Sequence, residues 1–516
     1  MAEKINLDSL INREDLAIEE KETRSSTIGT VSARDLEFES FFRLNIFKPD
    51  FQRETVEWDY KKIANFINSF LNRELIPAII LWENSGGKVF VIDGAHRLSS
   101  LIAWINDDYG DGEITRKTFK NNVPDDQMIL ADKTRQFINS RIGSYQDIKN
   151  SLLSPNKSNE KYAEKARMLS STAIQLQWVV GDVDSAERSF FNINQQGVPL
   201  NKTELELIKK RKAPNCIAAR AIMRKGEGHR YWDKFNEEIQ KEIVNLSKEI
   251  FELMYNPKLV TPIKTTDLPN CGKYTGAALQ MIYETVNLLN PINNKKDDDQ
   301  TGSDTVRSLK IVRKYLRLLS SNHESSLGLH PLIYFYADNG SYRPSNFYSF
   351  LLFIKLLDDR NKKNLFTKNR QKFEEMMPII QESINHLTRK YRSALNAKNH
   401  LVELYMIIID ELEKGTDTNL VITNIKKNTT EDKFKDLPEF QMEKYISYSK
   451  DFNSKTKSEV FILESKDKIN CCGICGGKIS GNTISIDHKE RKEDGGLGIA
   501  SNGQLTHPYC NTGYKN

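Results

Sequence analysis

Residues 89–101 read VFVIDGAHRLSSL. The apolar run Val89–Ile92 stops at Asp93-Gly94, and a Leu/Ile pattern at helical spacing begins at Leu98. This order predicts a buried strand, a tight turn and a helix. Two chemistries fit the turn. Asp-Gly is a common end to a strand and needs no function. A glycine there also lets backbone amides approach an anion, and the first turn of the next helix adds unpaired N–H groups and a positive dipole end. Arg97 would then offer a fork to phosphate oxygens. Asp93 would hold a divalent ion or orient water, and His96 would donate a hydrogen bond or move a proton.

Working outward, WDYKKIANFINSFLNREL (58–75) puts Trp58, Ile63, Phe66, Ile67, Phe70 and Leu71 on one helical face. After Pro77, AIILWE (78–83) reads as a strand, SGG (85–87) as a turn, and KVFVI as its hairpin-like partner. TAIQLQWVVGDV (172–183) reads as a further strand. SAERSFFNINQQGVPLNKTELELIKK (185–210) gives a helix, a Gly-Val-Pro turn and a second helix with Asn201 or Thr203 as its cap. Between about 107 and 160 the pattern is weak. From about 215 to 415 helical periodicity dominates, with the polar loop NPINNKKDDDQTGSD inside it.

The chain has 516 residues, 38% hydrophobic and 28% charged, which suits two or three domains with real cores. Its formal net charge of +5 is compatible with nucleic acid but weak as an argument. The acidic, mixed opening MAEKINLDSLINREDLAIEEKE lacks the form of a signal peptide, and no apolar run is long enough to span a bilayer. The expectation is a cytoplasmic protein with no membrane partner.

Four of the six cysteines lie at 471, 472, 475 and 510. Such clustering in a reducing compartment favours metal over disulfide. Cys472-x-x-Cys475 and His507-x-x-Cys510 form two halves of a tetrahedral Cys3His zinc site, with Cys471 as an alternative first ligand of less usual spacing. The segment is too small for an adequate core of its own, so the metal would supply much of its folding energy. Cys216 and Cys271 stand alone and read as buried thiols. The isolated His229, His323, His330, His386 and His400 read as surface or capping residues.

The order KPDFQRETVEW, ELIPAIILW, VIDGAHRLSSL and FFNINQQGVPLNKTEL resembles the DGQQR-motif domain of ParB/sulfiredoxin-like fold, found in GmrSD-type modification-dependent restriction enzymes and phosphorothioate-sensing defence nucleases. The matching positions are Phe51-Gln52-Arg53, Trp58, Pro77, Asp93 to Arg97, Asn194, Gly197, Leu200 and Glu204. The resemblance covers roughly residues 40 to 215. It implies a bound nucleotide, often hydrolysed, held by Gln52, Arg53, Asp93, Gly94, His96 and Arg97, with Asn192 or Asn194 reaching the pocket. The family's Gln-Gln is Ala95-His96 here, closer to the sulfiredoxin and ParB branches, which leaves phosphate binding more secure than NTP hydrolysis.

Between the cysteine knuckles runs SIDHKERKEDGGLGIASNGQL (485–505). Asp487-His488 after a short β-branched strand, a Gly-Gly turn, Asn502 and the pair Cys510-Asn511 resemble the HNH endonuclease pattern in its ββα-metal form. The last motif position is Asn511 rather than His, a common variant. The resemblance implies phosphodiester hydrolysis. His488, neutral near pH 7, would act as general base. Asp487 and Asn511 would hold one Mg²⁺ or Mn²⁺. Asn502 would hold the His488 loop or orient its ring, and Lys489, Arg491, Lys492 and Lys515 would meet phosphates. Zinc would be structural and separate.

The expected architecture is α+β and multidomain: a polar lead-in (1–40), a ParB/sulfiredoxin-like nucleotide-binding sensor domain (41–215), a mostly helical domain (216–440) and a zinc-stabilised ββα-metal HNH nuclease (441–516). The partners expected are DNA, including modified phage DNA, and a nucleotide; a homo-oligomer is left open. Two other readings stand beside this one. The first is a non-catalytic zinc-containing DNA-binding regulator. The second is a nuclease whose front domain binds DNA without NTP hydrolysis.

Overall fold

The computed structural model describes residues 5–515 apart from 15, 17–27, 50–51, 53–54, 56–57, 119–122, 124, 154–159, 196–205, 208–209, 211, 224, 227–231, 233–234, 275–277, 292–297, 429–431 and 439–451. The chain divides into two compact units, Met1–Lys209 and Lys210–Asn516. It is a mixed α+β protein in which helix predominates.

The first unit is built on a six-stranded mixed sheet. Its strands are β1 (Asn12–Glu14), β2 (Thr30–Ser32), β3 (Ile46–Pro49), β4 (Ile79–Glu83), β5 (Val89–Asp93) and β6 (Ala173–Val179), in the order β1-β3-β5-β4-β6-β2. β4 and β5 pair antiparallel, whereas β5 with β3 and β4 with β6 pair parallel. The hairpin turns at Asn84, whose Oδ1 accepts from the Lys88 amide at 2.8 Å. The two central strands are apolar up to their last residues, Glu83 and Asp93, because both faces of the sheet are covered. Ile79, Leu81, Val89 and Val91 enter the larger core, under the helices Tyr60–Leu71 and Ala95–Ile105. Trp82, Phe90 and Ile92 point the other way, onto Ala186 and Phe190 of the helix Val183–Gln195.

Asp59 caps the helix Tyr60–Leu71 by accepting from the Lys62 amide, and Ile63, Ile67, Phe70 and Leu71 form its buried stripe. The turn at the end of β5 needs a glycine. Gly94 has φ +98°, and an added Cβ would lie 2.5 Å from Ile79 Cδ1. Gly94→Ala is therefore expected to destabilise the first unit by about 1–3 kcal/mol, read as a lower urea midpoint of the full chain.

Residues that read as a polar lead-in contribute β1, β2 and the core side chains Ile5, Leu7, Leu10, Ile11, Val31 and Leu36. They also bring Asp8, whose carboxylate meets the fully buried Lys48 at 2.7 Å and Arg13 at 2.9 Å. Burial pushes the Asp8 carboxyl up, but the two cations outweigh it and hold it well below the usual carboxylate range. The weakly patterned stretch after residue 107 holds the helices Glu113–Thr118, Asp125–Arg141, Tyr145–Leu153 and Glu160–Leu169. The longest of these buries Ala131, Thr134 and Ile138, too short and polar a stripe to register as amphipathic.

The second unit is helical up to residue 466. Its centre is an aromatic cluster in which Phe350 stacks on Tyr405 at 4.5 Å, with Phe353, Phe366 and Phe373 packed around them. β7 (Ser485–His488) and β8 (Gly503–Thr506) form an antiparallel pair in the same unit. The segment that carries them is bonded to the helical layer. Ser480 donates to Asp267, Tyr509 to Asn364, and Thr512 to the Glu324 carbonyl. Cys216 and Cys271 are buried thiols. No helix among the described residues is long and apolar enough to cross a membrane.

Candidate functional site

Cys472, Cys475, His507 and Cys510 converge in a buried cluster whose ligand atoms all lie within 4.8 Å of one another. Cys471 is exposed and outside it. His507 Nδ1 is 3.4 Å from Cys475 Sγ and 3.8 Å from Cys510 Sγ. The edge of a zinc tetrahedron with bonds near 2.0 and 2.3 Å is about 3.6 Å, so the donors stand at ligand spacing. His507 Nε2 is 3.1 Å from the Lys478 carbonyl, which fixes Nε2 as the protonated nitrogen and leaves Nδ1 for a metal. The thiols share protons in this closed space. Hydrogen bonds from Cys475 and Cys510 push Cys472 down, and the Cys472 thiolate in turn raises Cys475 and Cys510. A divalent ion is what would let all three ionise together. The set fits structural zinc. Cys475→Ser is expected to reduce bound zinc from about one equivalent to none, measured by elemental analysis of the purified chain.

Helix Lys363–Glu375 holds this cluster from beneath. The Arg370 guanidinium, wholly buried, donates to the Leu327 and Gly328 carbonyls and to Glu374 Oε1, and its Nη1 lies 3.3 Å from His507 Nδ1. Burial works against its charge, but Glu374 more than restores it. Glu374 also accepts from the Lys478 amide at 2.7 Å and the Tyr334 hydroxyl at 2.9 Å. With Zn²⁺ bound, three thiolates would leave one net negative charge, and the guanidinium, though paired with Glu374, is the cation closest to it. Gly477 gives Arg370 room, since a Cβ there would lie 2.5 Å from Nε. Nearby His330 caps the helix Pro331–Tyr334 from inside the core rather than from the surface.

The strand pair stands against the cluster, with Asp487 opposite Gln504 and His488 opposite Gly503. Asn502 does not address the imidazole. Its Oδ1 accepts from the Glu490 amide at 2.8 Å, and its Nδ2 donates to the Glu490 and Leu497 carbonyls at 3.1 and 2.9 Å. It thereby staples the loop that leaves His488. The His488 side chain is half-buried and has no hydrogen-bond partner among the described residues. Asn511 follows the knuckle and donates to Ser485 Oγ at 2.8 Å and the Ile486 carbonyl at 3.3 Å.

Asp487 is buried and its Oδ2 accepts from Gln504 at 2.9 Å and Lys515 Nζ at 2.7 Å. Burial pushes its carboxyl up, and these two bonds with the lysine's charge bring it below the ordinary value. Lys515, read from sequence as a phosphate contact, is thus committed to the acid. A carboxylate and an amide oxygen are hard donors suited to Mg²⁺ or Mn²⁺, which keep several waters and need few protein ligands. The donor chemistry at Asp487 and Asn511 fits such an ion.

In the first unit, Arg97 donates to Asp93 Oδ2 at 2.5 Å, to the Ala78 carbonyl at 3.3 Å and to the Pro77 carbonyl. His96 stacks on Trp58 with ring centroids 5.8 Å apart. Gln52 Oε1 is buried without a partner in the described structure. Arg53, Gly197, Leu200, Glu204, Asn201 and Thr203 lie outside the described residues, as does the side chain of Asn194.

Residues 37–211 match the family model of the GmrSD restriction endonuclease, N-terminal domain. This front segment is similar to a restriction-enzyme domain. The match spans Gln52, the turn after β5 and the helix Val183–Gln195, and it points to a nuclease with DNA as its partner. The strands β1 and β2 precede the matched span. No curated protein and no solved structure matches the chain.

Sequence reasoning did not find Arg370, Glu374 or Gln504. Arg370 lies 137 residues from His507, so no local spacing links them.

Proposed function

We propose that this protein is a DNA endonuclease of a bacterial restriction or anti-phage system, cutting through an HNH site around His488 and regulated through its front unit. The observation that carries this is Asp487-His488 at the end of β7, with the loop beyond stapled by Asn502 and the strand pair seated beside the Cys3His cluster.

His488 takes a proton from water, whose oxygen forms the new bond to phosphorus as the bond to the 3′ oxygen breaks. Asp487 and Asn511 would hold Mg²⁺ or Mn²⁺, which would relieve charge on the phosphoryl group and the leaving oxygen. Asn502 keeps the loop after His488 in place, and Lys489, Arg491 and Lys492 meet the backbone phosphates. Zinc is structural, with Cys472, Cys475, His507 and Cys510 as its ligands.

The front domain is read as ParB/sulfiredoxin-like, spanning 41–215 and sensing a nucleotide or modified DNA through Gln52, Arg53, Asp93, Gly94, His96, Arg97 and Asn194. The amides after Gly94 would face an anion bound at the start of the helix Ala95–Ile105. The helical part, 216–440, transmits that state to the nuclease, 441–516, in a cytoplasmic enzyme. A second reading of the front domain is favoured by Arg97, whose donors are on Asp93 and two carbonyls. It binds DNA or nucleotide and does not hydrolyse NTP.

The test is cleavage of supercoiled plasmid by the full chain with Mg²⁺ or Mn²⁺. Phage-modified and plain DNA are compared, with each NTP added or omitted. Nicked or linear product, dependent on the divalent ion, is the expected result. DNA binding with no cleavage in any combination would replace the enzyme with a zinc-containing regulator.

A further inference from the structure

We propose that Lys515 is an internal counter-ion that occupies the cation position at Asp487 Oδ2, so that a divalent ion binds that oxygen only by displacing the lysine ammonium. The inference rests on the HNH reading above and deepens it.

Lys515 Nζ makes two close contacts at the end of β7, 2.7 Å to Asp487 Oδ2 and 2.6 Å to the His488 carbonyl. Its side chain is only 20% exposed and that of Asp487 8%. The Lys515 carbonyl is itself held, accepting from Arg491 Nη2 at 3.0 Å. The backbone is shaped for this contact. Cys510–Tyr514 forms a single π-helical turn, closed by the Lys515 amide on the Cys510 carbonyl. Such wide turns are rare and gather at functional sites. Asn511 and Lys515, four apart, therefore both reach β7, one at Ser485 and Ile486, the other at Asp487 and His488.

Asp487 Oδ2 already takes a second hydrogen bond from Gln504. A divalent ion bonded at about 2.0–2.1 Å to that oxygen would stand in van der Waals contact with the ammonium and repel it. The two cations exclude one another. With the lysine in place, the buried acid is compensated before any ion arrives. When an ion takes over, Lys515 swings free next to His488, where a scissile phosphate would lie.

The test measures Mn²⁺ binding to the full zinc-loaded chain by electron paramagnetic resonance of the free ion. The chains compared are wild type, Lys515→Met, Lys515→Gln and Asp487→Asn. Both lysine variants are expected to bind one Mn²⁺ at least about ten-fold more tightly than wild type, since a competing charge is gone. Asp487→Asn is expected to lose that Mn²⁺. A variant that merely loosened the fold would not gain affinity, and Lys515→Gln keeps a donor for the His488 carbonyl should Lys515→Met fold poorly. Asp487-dependent Mn²⁺ binding of equal or lower affinity in the lysine variants overturns the counter-ion role and leaves the HNH reading standing. Absence of Asp487-dependent Mn²⁺ binding in every variant overturns both.

Discussion

His488→Ala is expected to lower the rate of DNA cleavage by about 10²–10⁴-fold, the usual loss when a positioned general base is removed. DNA binding should persist. The reason lies in how little the fold asks of this side chain. The imidazole is half-buried and has no hydrogen-bond partner among the described residues, while the strand pair is held by Asp487 with Gln504 and the loop by Asn502. Single-turnover plasmid cleavage alongside a gel-shift assay separates the two effects. A rate that survives the substitution would place the base elsewhere.

Arg370→Leu is expected to cost about 3–5 kcal/mol, the range for breaking a buried ion pair from one side. The substitution strips Glu374 of its buried cation and leaves the Leu327 and Gly328 carbonyls without their donor. Glu374, 7% exposed, is then left without its cation close to the cysteine cluster. The damage should therefore reach the metal. Zinc release to a chelator should be faster in Arg370→Leu than in wild type, and the denaturation midpoint lower. The further change Glu374→Gln should restore part of both losses, because it removes the uncompensated charge. Unchanged zinc release would show that the helix Lys363–Glu375 only touches the knuckle.

The parts legible in sequence are those written in short spacings. Cys472-x-x-Cys475 and His507-x-x-Cys510 do converge, because each pair is local and only one long closure joins them. The hairpin of β4 and β5 and the helices on either side of it were equally readable, since apolar runs and turn residues alternate there without interruption. Asn502 reads in sequence as holding the His488 loop or orienting its ring, and its amide bonds to the loop backbone. What stayed hidden was long-range or chemically disguised. Lys48 and Asp8 look like surface charges until the fold buries them against each other. Arg370 reads as one more basic residue on a polar helix, and Lys515 as a phosphate contact. The helix Asp125–Arg141 buries Ala131, Thr134 and Ile138, a stripe too short and too polar for a hydrophobic pattern to reveal.

The two outermost strands of the six-stranded sheet, β1 and β2, both come from residues before the span that resembles a restriction-enzyme domain. Their partners arrive at very different times. β1 lies beside β3, some thirty residues further on, whereas β2 must wait for β6, whose Gln175 pairs with Thr30. During synthesis one rim of the sheet can close early while the other stays open until most of the unit has left the ribosome. Until then β2 keeps an unpaired row of amides and carbonyls, the kind of surface on which neighbouring chains aggregate. The segment around Thr30–Ser32 thus acts as a late seal, and the first unit's resistance to aggregation depends on residues that carry none of its chemistry.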